Sequence, residues 1–287
     1  MQRRVVTSAD GTAIHMHQIR PGGGTPLLML HGVGRAGRTF AALATSLPAR
    51  FDVWAIDFRG HGSSGEADKS YLVADYVPDA AAALQSFDGP AVVYGHSLGS
   101  LVAAAVAGEC ASLVSAVILE DPPSADYWGQ LGETAYYPTF LAMRKWAGRS
   151  DCSLQELTAG FGSEVVRTFD NGAVQRISDL RDPVSLRFSA SCVRDLDPMV
   201  MECILSRDWL EGYDYRAVFA KVRCPALLLR GDPACGGMLS ATAAAELSQL
   251  MRESVTADFP AAGHLLHWQS LSQVAVHCSA FLETIDS

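Results

Sequence analysis

The sequence predicts an α/β protein: a mostly parallel, doubly wound sheet, entered through an N-terminal hairpin and carrying an inserted helical segment. Three observations predict it. Apolar, partly β-branched runs (TPLLMLHG, FDVWAIDF, PAVVYGH, VSAVILED) alternate with helical stretches, and strands apolar on both faces belong to parallel sheets covered by helices on each side. The alternation stops at residue 122, gives way to helical patterns without a convincing buried strand until residue 215, and resumes with CPALLLRG and SVTADFP. Finally, 287 residues with 49% apolar and 18% charged content can bury a sizeable core.

Taken in order, RRVVTSADGTAIHMHQI alternates around Asp10-Gly11, a pair that supplies the positive φ angles of a two-residue hairpin turn. TPLLMLHG then leads to a helical stretch from Thr39, FDVWAIDF to one near Tyr76 to Phe87, and PAVVYGH to one over Ser97 to Glu109. VSAVILED closes the first half. Residues 1–121 and 216–287 are therefore expected to form the core, with 122–215 as a lid inserted between them. RPGGGTP reads as a short loop, and no internal repeat is visible.

Composition excludes several functions. A net charge of −9 with only three lysines leaves no basic stripe, which argues against nucleic acid and anionic membrane as partners. Seven cysteines without a CxxC pair suit neither a disulfide framework nor a zinc site and point to a reducing compartment. MQRRVVTSADG has no apolar stretch of secretory length, and no long uncharged apolar run follows. A soluble cytoplasmic protein is expected. The histidines and cysteines are dispersed, without metal-ligand spacing, and neither a nucleotide nor a metal is expected.

The informative motif is Gly-His-Ser-Leu-Gly, residues 95 to 99, where a buried strand must turn sharply into a helix. Glycines on both flanks remove Cβ atoms that would collide in so tight a turn. Ser97 can then take a strained backbone conformation with its hydroxyl exposed above the sheet, as a nucleophile requires. The Leu98 N–H lies at a helix N-terminus, placed to stabilise negative charge on an attacked carbonyl oxygen. In LLMLHGVGRAG the Val33 N–H, just past an early strand, is the candidate second donor.

With these segments, IDFRGHGSS and AGHLLHW, the chain resembles the α/β-hydrolases that carry a cap domain, with the patterns in family order at both ends of the chain and none in the middle. The resemblance implies a serine nucleophile at Ser97, a general base at His264, oxyanion donors at Val33 and Leu98, and no cofactor. Of the eight histidines, His264 has the position of the base, just after the last strand, and His267 is the alternative. His31 is expected to support the oxyanion loop, His61 to sit in the RGHGSS turn, and His96 to point away from the nucleophile.

The triad acid stays divided. Most family members place it about three positions past the glycine of the strand ALLLRG, where this chain has Ala234; Asp232 follows that glycine directly. A second family location is the end of the preceding strand. There Asp121 stands 24 residues after Ser97, the spacing of relatives with that arrangement, and Glu120 precedes it. Asp121 is preferred to Asp232, and both to Glu120.

Lids over this fold cover the strand ends where ligands bind. Trp128, Tyr136, Tyr137 and Trp146 are candidate substrate-binding residues for a bulky apolar group, with Tyr127, Phe140, Met143, Met199 and Met201 as companions, although any one of them could equally build the lid's own core. The arginines of this segment, Arg181 among them, are interspersed with acids and read as a solvated face rather than a carboxylate clamp. The expectation is a hydrolase acting on an ester or lactone of a medium-sized, mostly apolar small molecule. Cleavage of a thioester or of a C–C bond beside a ketone is the alternative chemistry, and a non-hydrolytic ligand-binding protein the alternative class. A homodimer is left open.

Overall fold

The computed structural model describes residues 2–67 and 70–285. The first half runs β1 (Arg3–Thr7), β2 (Ala13–Arg20), β3 (Thr25–Leu30), α1 (Ala41–Ser46), β4 (Phe51–Ile56), α2 (Val73–Gln85), β5 (Ala91–His96), α3 (Leu98–Glu109) and β6 (Val114–Glu120). The segment that follows holds α4 (Ala125–Gly129), α5 (Tyr137–Trp146), α6 (Leu154–Ser163), β7 (Val165–Thr168), β8 (Val174–Arg176), α7 (Pro183–Arg194), α8 (Pro198–Ser206) and α9 (Tyr215–Ala220). The chain ends with β9 (Ala226–Gly231), α10 (Ala241–Leu250), β10 (Ser254–Phe259), α11 (Leu266–Gln269) and α12 (Leu271–Thr284).

The described residues form one eight-stranded sheet in the order β1-β2-β4-β3-β5-β6-β9-β10. Its first two pairings are antiparallel and the rest parallel. The central strands are apolar throughout because both of their faces are covered. Successive residues alternate between two cores: Leu28, Leu30 and Val93 face α2 and α3, while Leu27, Met29, Val92 and Tyr94 face Phe40 and Leu43 on one side and Val274 and Leu282 of α12 on the other. Helix α3 is buried from Leu98 to Ala107, as a helix apolar all round must be. No helix among the described residues is long and apolar enough to cross a membrane.

Three local expectations change. The first hairpin closes with a longer loop than two residues: Ser8 N–H bonds Thr12 O at 2.8 Å and Gly11 N–H bonds Ser8 O at 2.9 Å. Gly11 alone takes a positive φ there, at 93°. Asp10 is used otherwise, its carboxylate accepting from the buried Arg59 guanidinium at 2.7 Å, and a primed turn would have swung it away. Helix α2 begins at Val73 rather than near Tyr76, since the Asp75 carboxylate accepts the Leu72 N–H at 2.8 Å and so starts the helix one turn earlier. The segment between β6 and β9 contains a two-stranded hairpin, β7 with β8. It is largely exposed, so it lacks the apolar run by which a buried strand is read.

Candidate active site

Strand β5 ends against α3 with one residue between them. A Cβ on Gly95 would lie 2.2 Å from Gly99 O, and one on Gly99 would lie 2.0 Å from Leu30 O, so both positions exclude any side chain. Ser97 at the apex has φ 55° and ψ −118°, a conformation that costs a non-glycine residue about 1–3 kcal/mol. Its surroundings hold it there. Ser97 N–H donates to Glu120 O at 3.0 Å, Ser100 N–H returns to Ser97 O at 2.9 Å, and the Ser100 hydroxyl bonds Gly95 O at 2.6 Å.

The loop after β3 packs directly on this apex. A Cβ on Gly32 would touch His96 Nδ1 at 2.8 Å and Ser97 Cβ at 3.0 Å, so only glycine lets Val33 approach the serine. Two buried histidines pin the loop. His31 Nε2 accepts the Phe58 N–H at 3.0 Å, which leaves Nδ1–H to donate to Gly32 O at 2.8 Å. His61 Nε2 accepts the Gly34 N–H at 3.1 Å while Nδ1–H donates to Arg59 O at 2.9 Å. Burial lowers the pKa of His31, and it lowers that of His61 to about 3, so both rings stay neutral. The Leu98 N–H opens α3, among the donors that a helix leaves without an internal partner.

His264 follows β10. Its Nδ1 lies 2.7 Å from Asp121 Oδ2, and both side chains are buried. The Asp121 carboxylate also accepts Gly231 N–H at 3.0 Å and Met238 N–H at 2.8 Å. The end of β9 and the segment after it, where the commoner arrangement has its carboxylate, thus contribute one backbone donor each instead. Asp232 lies apart from His264: it caps the short turn Pro233–Cys235 by accepting the Ala234 N–H at 2.9 Å. Glu120 points to the opposite side of the sheet. There it accepts from His267 Nδ1 at 2.8 Å and from the Tyr94 hydroxyl at 2.5 Å, and His267 Nε2 meets Thr39 Oγ1 at 3.1 Å. Burial opposes ionisation of Glu120, but His267 beside it and the hydrogen bonds from His267 and the Tyr94 hydroxyl hold its pKa down to about 2. His96 links the two sides, donating from Nε2 to His264 O at 2.9 Å.

Ser97, His264, His96, Gly32 and Val33 share one narrow cavity with Trp128, Tyr136, Phe140, Met143, Ile204, Trp209 and Met238. Tyr136 meets the His264 ring edge-on, with centroids 5.5 Å apart. Of the four aromatic residues expected in the pocket, Trp128 and Tyr136 line it and Tyr137 and Trp146 do not. Trp146 instead covers Gly160 of α6 and donates to Glu164 at 2.8 Å, and Tyr137 packs against the core at the start of α5. Met201 is core and Met199 is exposed.

A family model for the α/β-hydrolases matches residues 27–276. The chain belongs to that family. Over 281 residues, 96% of this hydrolase and 95% of the relative, it is 26% identical to N-formylmaleamate deformylase of Pseudomonas putida. Similarity to lipase LipV of Mycobacterium tuberculosis is higher but local, 37% over 112 residues, 39% of this chain and 42% of the lipase. Among solved structures, the enol-lactonase of Burkholderia xenovorans superposes with a TM-score of 0.71 at 19% identity, covering 98% of this chain and all of that one.

Two residues in the hydrolase cavity escape a reading of the sequence. Arg35 lies just past the glycine-rich loop, and Arg181 comes from the inserted segment. Burial, with Arg181 nearby, lowers the Arg35 pKa to about 9, and burial lowers that of Arg181. Arg181 is half-buried and lines the cavity, so it does not lie wholly on a solvated face. Its neighbour Asp182 invited that reading, but the Asp182 carboxylate is occupied in capping α7, accepting the Val184 N–H at 2.9 Å.

Proposed function

We propose that this hydrolase cleaves an ester or lactone of a small molecule through an acyl-enzyme on Ser97. The observation that carries the reading is the buried contact of Asp121 with His264 Nδ1, 2.7 Å long, beside the cavity that holds Ser97. An imidazole whose Nδ1–H is engaged by a carboxylate presents Nε2 as the base, and the carboxylate stabilises the imidazolium that forms. In the proposed reaction Nε2 takes the Ser97 proton as Oγ attacks the carbonyl carbon. The Val33 and Leu98 amides bind the resulting oxyanion. The imidazolium then protonates the departing alkoxide, and a water activated by the same ring hydrolyses the acyl-serine.

Residues 122–215 act in this reading as the lid that closes the cavity and selects the substrate. The match to N-formylmaleamate deformylase spans nearly the whole chain and supports a second reading, hydrolysis of a formyl or other small acyl amide by the same groups. The seven free cysteines support a cytoplasmic setting.

A panel of aryl esters, lactones and N-formyl amides, with Ser97→Ala as control, tests the proposal. Turnover of at least one class is expected, falling by several orders of magnitude in the variant, together with covalent labelling of Ser97 by a fluorophosphonate. Labelling absent from active protein overturns the acyl-enzyme.

A further inference from the structure

Among the described residues two arginines are almost wholly inaccessible to solvent, Arg35 at 4% and Arg59 at 3%. Arg59 is neutralised twice, by Asp79 at 2.6 Å and Asp10 at 2.7 Å. Arg35 has no carboxylate. Its guanidinium donates to the Ser189 hydroxyl at 3.0 Å and lies over the Trp268 ring at 4.8 Å, and Arg181 adds a like charge that opposes its own. Arg181 also lacks an ion pair among the described residues. A buried guanidinium without a counter-ion carries a desolvation cost that a neutral hydroxyl and a ring only partly offset. Arg181, half-buried, lines the same cavity, and two like charges there repel each other unless an anion lies between them.

Both line the cavity of Ser97 and His264. Resting on the acyl-transfer reading above, we infer that Arg35 and Arg181 form a carboxylate subsite, so that the substrate is an ester, lactone or amide bearing a free carboxylate besides the bond that is cleaved. Guanidinium groups suit this role because their planar fork of donors matches a carboxylate in two parallel hydrogen bonds. The same cavity is otherwise lined by the largely apolar Trp128, Phe140, Met143, Ile204 and Trp209. The molecule that fits has an apolar body and one anionic end, which changes the mostly apolar substrate expected from the lid's aromatic content.

The test compares matched pairs on the intact protein. Phenyl half-esters of succinic, glutaric and adipic acids are set against phenyl butanoate, pentanoate and hexanoate, and 4-acetoxybenzoate against phenyl acetate, so that the carboxylate lies on the acyl or on the alcohol side. At least one anionic member should exceed its neutral partner tenfold in kcat/KM. Arg181→Gln should cut that ratio at least tenfold through KM, and Arg181→Lys should retain more of it. A preference below tenfold in every pair overturns the subsite, as does a ratio unmoved by Arg181→Gln. Binding is read separately on Ser97→Ala by thermal shift. The anionic members should stabilise it and the neutral ones should not, and absence of stabilisation by any anionic member also overturns the subsite. If the preference holds while Ser97→Ala keeps its turnover, the acyl-enzyme falls and the subsite stands.

Discussion

Asp121 has φ 43°, one of three non-glycine residues described with a positive φ, together with Ser97 and Arg207. Two of the three stand at the ends of adjacent parallel strands, β5 and β6, where the proposed chemistry is done. Strain of this kind persists only where neighbours over-determine it. For Asp121 they are its own N–H, donating to Leu229 O at 2.8 Å, and three donors on its carboxylate. Asp121→Asn puts an amide where those donors converge and leaves the imidazole in the wrong tautomer, so kcat should fall by roughly 10⁴. Asp232→Asn removes only a turn cap and should cost kcat less than about threefold. Steady-state kinetics of the two variants on one ester decide it, and equal losses would return the acid to the segment after β9.

At the scale of elements, the loop after β3 and the turn after β4 are held by apolar packing of Val33 and Phe58 and by the hydrogen bonds of two histidines. Their hydrogen bonds require neutral rings, and this sets a pH dependence. The folded pKa of His61 is about 3, below its ordinary 6.5, because burial penalises the cation. The unfolded chain therefore binds a proton that the folded chain refuses. Stability from this group is complete above about pH 6.5 and is lost as pH falls toward 3, by about 2 kcal/mol at pH 5. Buried His31 and His96, also lowered, act in the same sense. Urea midpoints should fall between pH 7.5 and 5. His61→Gln should be less stable at pH 7.5 yet show a slope against pH smaller by up to about one proton, and an unchanged slope would mean that His61 is charged in the folded protein.

On the scale of the whole molecule, the inserted segment is fastened to the core at the loops that flank the cavity. Arg38 donates to the Ser191 hydroxyl at 2.6 Å, Arg35 to that of Ser189, Asp197 N–H to Gly60 O at 2.9 Å, and His61 forms a bridge with Leu196. A substitution in α7 therefore reaches the Gly32–Arg35 loop through the Ser189–Arg35 hydrogen bond and the turn after it through Ser191–Arg38. Covalent cross-links play no part: all seven cysteines are free, with Cys192 and Cys278 buried in the core. Thermal midpoints with and without dithiothreitol should agree within about 1 °C, whereas loss of a real disulfide would cost several kcal/mol. A drop on reduction would show a cross-link between chains.

What the sequence by itself determined is whatever short-range sterics and periodicity encode. Apolar runs identified the central strands. Two glycines around Ser97 announced a turn that excludes Cβ atoms, as the 2.0 and 2.2 Å contacts show. Tertiary structure alone decided what depends on distant segments converging. Asp121 and Asp232 both follow strand ends, and only the approach of the β9 and β10 segments brings one of them against His264. Trp128 and Trp146 belong to the same aromatic-rich stretch, but α4 sets the first in the cavity with Ser97 while the packing of α5 on α6 lays the second on Gly160. Arg35 and Arg181 are 146 residues apart, each beside residues that suggest an exposed loop. That Arg35 is buried and that neither has a carboxylate partner among the described residues is stated by no local pattern, because the cost of an unpaired guanidinium arises only once the fold has removed the water.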